Sequence, residues 1–282
     1  MTTHHRYLPI FAVMIGTILT LPTAAIASEK SLPVWEFGVG AGLASLPQYM
    51  GSDERYTLAA PLPFLIYRGE RINLDRSGLR AKLFDIDGLS IDASLGAGLP
   101  VRNSNKARIG MDSLAISFEA GPRINWTLAS SIHSSVSFRL PWRAGMDIKG
   151  KYIGWISEPG FIIEYAPRKD LNFRISPTAL FASEKYNARY YSVAPQYVTA
   201  KRAAYRATAG LHSLSIGTSA TWAINDHLRA FGTIRYRNLT AGVIAGSPLV
   251  KTPHYLFAAI GFAWSFYQSD AQTTSKLEDD LP

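Results

Sequence analysis

Residues Leu114–Trp126 read LAISFEAGPRINW, and their apolar residues recur at every second position. Leu114, Ile116, Phe118, Ala120, Ile124 and Trp126 share one face, while Ser117, Glu119, Arg123 and Asn125 share the other. Successive side chains of a strand point to opposite faces, so a period of two predicts a sheet with one apolar and one polar surface. The pattern then repeats: Ile132, Val136, Phe138, Leu140 and Trp142 alternate with His133, Ser135, Ser137, Arg139 and Arg143. Both runs outlast the usual globular strand of about 5–6 residues. Charged on one face and aromatic towards the ends of the other, they suit strands that cross a bilayer.

The N-terminus predicts export. His4, His5 and Arg6 precede an apolar run from Leu8 to Leu21, and Ala25-Ile26-Ala27 supplies a small-residue cleavage site. Residues 1–27 are therefore expected to be a cleaved secretory signal peptide. Beyond them the apolar residues are dispersed among Gly, Ser, Thr, Arg and Asp, with no second apolar helix. Such a chain can enter a membrane only as strands, and only a closed barrel leaves no unpaired edge in lipid. Single-chain barrels of this kind belong to the bacterial outer membrane. The absence of cysteine excludes disulfides and thiolate metal sites. The 29 basic and 21 acidic residues give a formal charge of +8. The arginines recur on the polar side of strands, which points to a lumen rather than a nucleic-acid surface.

Reading outward, Val34–Ala44 sets Trp35, Phe37, Val39, Ala41 and Leu43 opposite Glu36 and three glycines. Leu58–Tyr67 is apolar on one side, but Pro61 and Pro63 are awkward in a paired strand and predict an irregular edge or end. Ile72–Phe84 alternates poorly, and Leu89–Leu99 alternates cleanly. Trp155, Phe161, Ile163 and Tyr165 oppose Glu158 and Glu164; Phe173 and Ile175 oppose Arg174. Glu184–Arg202 predicts a tyrosine-rich hairpin tip. Ala204–Ile224 changes parity near His212-Ser213, as a β-bulge would produce. Leu228–Leu239 presents Arg229, Arg235 and Arg237 on its polar side, and Tyr255–Phe266 ends in Trp264 and Phe266. Eleven strands read cleanly. Because such barrels have even numbers, the fold class is an all-β, transmembrane, antiparallel up-and-down β-barrel of about 12 strands, with 10 as the alternative. The barrel is assigned to residues 28–266, and the polar, acidic stretch 267–282 is expected to be a disordered tail.

Several stretches together resemble the MipA/OmpV family of outer-membrane proteins. They are YMGSDE (Tyr49–Glu54), PLPFLIYRGER (Pro61–Arg71), DRSGLRAKLFD (Asp75–Asp85), GLPVR (Gly98–Arg102), ARIGM (Ala107–Met111), EAGP (Glu119–Pro122) and RLPWRA (Arg139–Ala144). ARYYSVAP (Ala188–Pro195), AYRATAGL (Ala204–Leu211), Asp226-His227, SPLV (Ser247–Val250) and the aromatic last strand complete the series. The resemblance implies an outer-membrane barrel without a catalytic residue or cofactor. One member of the family is described as a scaffold between a lytic murein transglycosylase and a murein synthase, and others as porin-like or adhesive. The partners this implies are the bilayer with its lipopolysaccharide, the two murein enzymes and the barrel assembly machinery, with no nucleic acid. Members usually stop at the terminal aromatic, whereas here Tyr267–Pro282 follows Phe266.

The candidate site is the polar face. Glu119, Arg123, Arg139, Arg143, Glu158, Glu164, Arg174, Arg235 and Arg237 are expected to face the lumen. There they would either bias a narrow pore towards anions or fill it with ion pairs. Trp126, Trp142, Trp155, Trp222, Trp264 and Phe266 are expected to form interfacial girdles. His133 and Ser135 share a strand face, with Asp147 or Glu119 as acid, which leaves a lipid hydrolase as a remote alternative. No GxSxG, HExxH or metal-ligand cluster occurs, and the expected cofactor is none.

Overall fold

The computed structural model describes residues 30–275 apart from 70–71, 76–77, 82–83 and 87; the expected signal peptide lies outside them. The strands in chain order are β1 (Lys30–Pro33), β2 (Trp35–Pro47), β3 (Arg55–Arg68), β4 (Ile72–Asp75), β5 (Gly78–Ala81), β6 (Phe84–Ile86), β7 (Leu89–Gly98), β8 (Ser117–Ser130) and β9 (Ser134–Asp147). There follow β10 (Tyr152–Ser157), β11 (Gly160–Arg168), β12 (Leu171–Ala182), helix α1 (Glu184–Tyr191), β13 (Gly210–Ala223), β14 (Leu228–Asn238), β15 (His254–Gln268) and β16 (Gln272–Ser275).

All but β1 and β16 form one antiparallel sheet. Its order is β5-β4-β3-β2-β15-β14-β13-β12-β10-β9-β8-β7-β6, with β11 continuing β10 between β9 and β12. The sheet curls until β5, at one end, lies against β7 near the other. The outer rim is bridged at the same place, where Tyr56 Oη on β3 donates to the carbonyl of Pro100 just beyond β7 at 2.7 Å. Counting β10 and β11 as one interrupted strand, ten long runs make the wall, and the short β4, β5 and β6 bring it to thirteen segments among the described residues. Short turns such as Ser131–His133 and Lys169–Asp170 mark the periplasmic end, and the long connections mark the outer end. No described helix is long and apolar enough to cross a membrane; the crossing is made by strands.

Alternation places apolar side chains outside. Phe118, Ile124 and Trp126 on β8, Ile216 and Trp222 on β13, and Ile260, Phe262 and Trp264 on β15 are all exposed on the wall. In water a continuous apolar belt of this kind would drive aggregation, but in hydrocarbon it is the favoured surface. The buried hydrophobic core sits elsewhere, in the outer cap. Tyr49, Val101, Leu114, Tyr186, Tyr190, Tyr191, Leu239 and Ile244 cluster there with Leu180 and Ala182 from the end of β12.

Four readings change. Leu58–Arg68 is a regular strand, paired with β2 throughout, and its prolines are tolerated because its other edge is laddered only at Tyr67 and Arg68. Glu184–Arg202 is not a hairpin tip: Glu184–Tyr191 is helical, capped by Ser183, whose Oγ accepts from the backbone N–H of Tyr186. Residues 204–209 stay outside the strand, which begins at Gly210, although the bulge falls at His212 as the parity switch requires. The last wall strand runs to Gln268, and Gln272–Ser275 pairs with Lys30–Pro33 rather than being disordered. Thr273 and Thr274, β-branched residues, favour that ribbon; residues 276–282 lie outside the described residues.

Candidate functional site

The lumen is lined by paired charges. Arg123 on β8 grips Asp92 on β7 through both carboxylate oxygens, at 2.8 and 2.6 Å. Arg174 on β12 donates from Nε to Glu164 on β11 at 2.8 Å. Glu158, in the gap between β10 and β11, accepts from Arg237 Nη2 at 2.6 Å and Thr178 Oγ1 at 3.0 Å, with Arg235 at 3.5 Å. Arg143 on β9 reaches Glu119 at 3.5 Å. Arg139 lies on the inner face of β9 opposite Asn125 of β8. By strand parity these residues lie on the inner face, and Glu119, Arg123, Arg143, Glu158, Glu164, Arg174, Arg235 and Arg237 meet there in ion pairs, some between neighbouring strands and some across the wall.

Sequence reading did not single out a further cluster at the periplasmic end. Glu36, fully buried, accepts from Arg68 at 2.7 Å, from Arg229 at 2.8 and 3.1 Å and from Ser265 at 2.9 Å. Its signal was present, since Glu36 is the one charge among the glycines of its face. Among the described residues, inner arginines outnumber inner carboxylates, which makes the described part of the inner wall electropositive.

The outer mouth is occupied by α1 and the loops packed on it. Tyr186 donates from its hydroxyl to Glu119 Oε1 at 3.1 Å. The Tyr191 hydroxyl lies 2.9 Å from His212 Nε2 and bonds the carbonyl of Met50 at 2.9 Å, while Ser247 Oγ donates to the Tyr191 carbonyl at 2.7 Å. Arg108 donates to the Tyr190 carbonyl, and Arg189 to that of Ala115. Burial, and then the adjacent Glu119 carboxylate, push the Tyr186 hydroxyl well above its usual range. Burial does the same to Tyr191. Both tyrosines therefore stay protonated and remain donors. The plug is a packed, hydrogen-bonded element rather than a surface loop.

The six expected girdle aromatics point outward. Trp126, Trp142, Trp222, Trp264 and Phe266 are exposed, and Trp155 is half-buried beside the cap. His133 is exposed at a periplasmic turn with Nδ1 3.1 Å from the carbonyl of Ala166. Ser135 donates instead to Glu164 at 3.3 Å, and Asp147 ends the opposite end of β9. These residues form no Ser-His-acid relay. Among the described residues no cluster of His, Asp and Glu is placed to hold a metal.

A closed wall with an apolar outside, a charged inside and short turns at one end defines an outer-membrane β-barrel protein. Residues 39–266 match the family described as MltA-interacting protein MipA, and the chain belongs to that family. No curated protein matches it. Among solved structures it is similar to the NanC porin, at 8% identity over 81% of this chain and 98% of that one, with a TM-score of 0.37. A bacterial polysaccharide outer membrane secretin matches at 9% identity over 83% and 99%, with a TM-score of 0.40. OmpT, an outer membrane protein of Vibrio cholerae, matches at 8% identity over 86% and 100%, with a TM-score of 0.37.

Proposed function

We propose that this protein is a non-enzymatic, closed outer-membrane barrel that anchors murein-processing machinery to the membrane. The observation that carries the reading is the seating of α1 in the mouth, with Tyr186 bonded to Glu119 on the inner wall. A barrel whose charges are paired and whose mouth is filled is built to persist, not to conduct. The family's description names MltA as the interacting partner, and a murein transglycosylase, a murein synthase, lipopolysaccharide and the barrel assembly machinery make up the expected surroundings. The periplasmic rim and the β1–β16 ribbon are the parts of the chain such enzymes can reach. Full-length protein in vesicles, offered a purified lytic murein transglycosylase, is expected to bind it saturably through the periplasmic face. Absence of binding, with co-purification also absent from cross-linked envelopes, would remove the anchor reading.

A second reading, a narrow conduit for anionic solutes, is favoured by the surplus of inner arginines and by Arg143. All of Arg143's polar contacts lie at 3.4–3.5 Å. It requires the plug to move.

A further inference from the structure

Positive charge gathers on the outer rim where β9 turns into β10. The connection, 148–151, is a tight turn shaped by Asp147. Its Oδ1 accepts from the backbone N–H of Lys149 at 2.9 Å and of Lys151 at 3.0 Å, and Gly150 supplies the left-handed residue of the bend, at φ +75°. Both lysines are exposed and rise from a fixed backbone. A third, Lys185 in the first turn of α1, joins them through Tyr152, whose ring centre lies 4.8 Å from its Nζ.

The neighbouring carboxylates are engaged elsewhere. Asp147 serves its own turn and lies 3.9 Å from Arg189, and Glu184 is paired with Arg206 at 2.8 Å. Among the described residues no ion pair joins a carboxylate to Lys149, Lys151 or Lys185. Beneath the turn the outside of the wall is apolar. Ile116, Met146 and Ile148 are exposed there, and Tyr152 stands opposite Met146 in the β9–β10 ladder, on the same face. Along a tilted strand Val136–Ile148 rises about 30 Å, the thickness of a bilayer's hydrocarbon. The lysines therefore stand at the level of the outer head groups, above a column of side chains that meets the acyl chains. Clustered cations at that level complement a phosphate, and the apolar column complements the chains attached to it.

We propose that Lys149, Lys151 and Lys185 form a docking site for the phosphate of an acylated, phosphorylated glycolipid of the outer leaflet, its chains along Met146 and Ile148, and that the bound head group pins the first turn of α1. The inference does not rest on the anchor reading, which concerns the periplasmic rim at the other end of the wall.

The test is a titration of full-length protein in dodecyl maltoside micelles with bisphosphorylated lipid A, read by native mass spectrometry. Saturable binding is expected. Lys149→Gln, Lys151→Gln and Lys185→Gln should each raise Kd about fivefold, and the three together about a hundredfold. The corresponding triple Lys→Arg variant should stay near wild type. Lys251→Gln, which alters an exposed lysine in the connection before β15, should change nothing. Lipid A stripped of its phosphates should bind as weakly to wild type as lipid A does to the triple Gln variant. Bound lipid A should slow amide exchange in α1 several-fold in wild type and not in Lys185→Gln. Equal affinity for dephosphorylated lipid A or for phosphatidylglycerol, displacement by millimolar inorganic phosphate, indifference to the three lysines, an equal loss in Lys251→Gln, or α1 exchange unmoved by the lipid would each overturn the proposal.

Discussion

The hydroxyl of Tyr186 donates to Oε1 of Glu119 across 3.1 Å, tying a helix of the outer loops to the inner wall of β8. Glu119 is otherwise approached by Arg143 only at 3.5 Å, so its carboxylate depends on that phenol.

Tyr186→Phe removes the donor and leaves a buried acceptor short of a partner. The expected cost is about 1–3 kcal/mol, confined to the cap. Hydrogen exchange of the α1 amides should accelerate, while the heat-dependent gel shift of the barrel stays unchanged. Unaltered α1 exchange would show that the bond holds nothing in place.

Glu36 is the opposite case, a carboxylate held among Arg68, Arg229 and Ser265 with no exposure. Glu36→Gln leaves two guanidiniums without their counter-charge and should lower stability by about 3 kcal/mol, read from the urea midpoint of tryptophan fluorescence. Arg206→Gln breaks a pair whose side chains are 83% and 49% exposed, and should shift that midpoint by less than about 1 kcal/mol equivalent. Equal shifts would contradict the assignment of Glu36 as an internal strut.

A methyl at Gly242 would collide with the backbone carbonyl of His212, at the bulge where the cap meets β13. Gly242→Ala should cost about 1–3 kcal/mol by forcing the two backbones apart. Protease cleavage within 239–253 should increase, and wild-type resistance there would refute the contact.

The cap should also fail first in alkali. Tyr186 and Tyr191 are held well above the ordinary tyrosine value of 10.0. In an opened cap they ionise near that value. Each therefore contributes stability that is complete below it and declines as pH rises above it. Exchange of α1 amides, corrected for intrinsic rate, should rise above pH about 10 before the wall loses its β-type circular dichroism. Simultaneous loss would mean that cap and wall form one unit.

The wall was legible because a period of two survives wherever one face meets lipid and the other meets the lumen. Leu114–Trp126 shows it without interruption, and the inward positions of Glu119 and Arg123 follow from counting. Even the parity switch at His212 was visible, since an extra residue flips every later side chain. The plug was not legible. Lys185–Tyr191 carries three tyrosines whose helical spacing is masked by polar neighbours, and what buries them comes from distant loops, Met50 and Ser247 among them. Pro61 and Pro63 looked like defects in a strand, because a sequence does not show which edge of β3 lacks a neighbour.

The central claim is that the plug closes the lumen, and single-channel recording in planar bilayers tests it most directly. Full-length protein is predicted to give no current steps above background, and Tyr186→Ala combined with Tyr191→Ala is predicted to produce them by releasing α1 from Glu119 and Met50. Steady conductance by the wild-type protein would contradict the account and make this barrel an open channel.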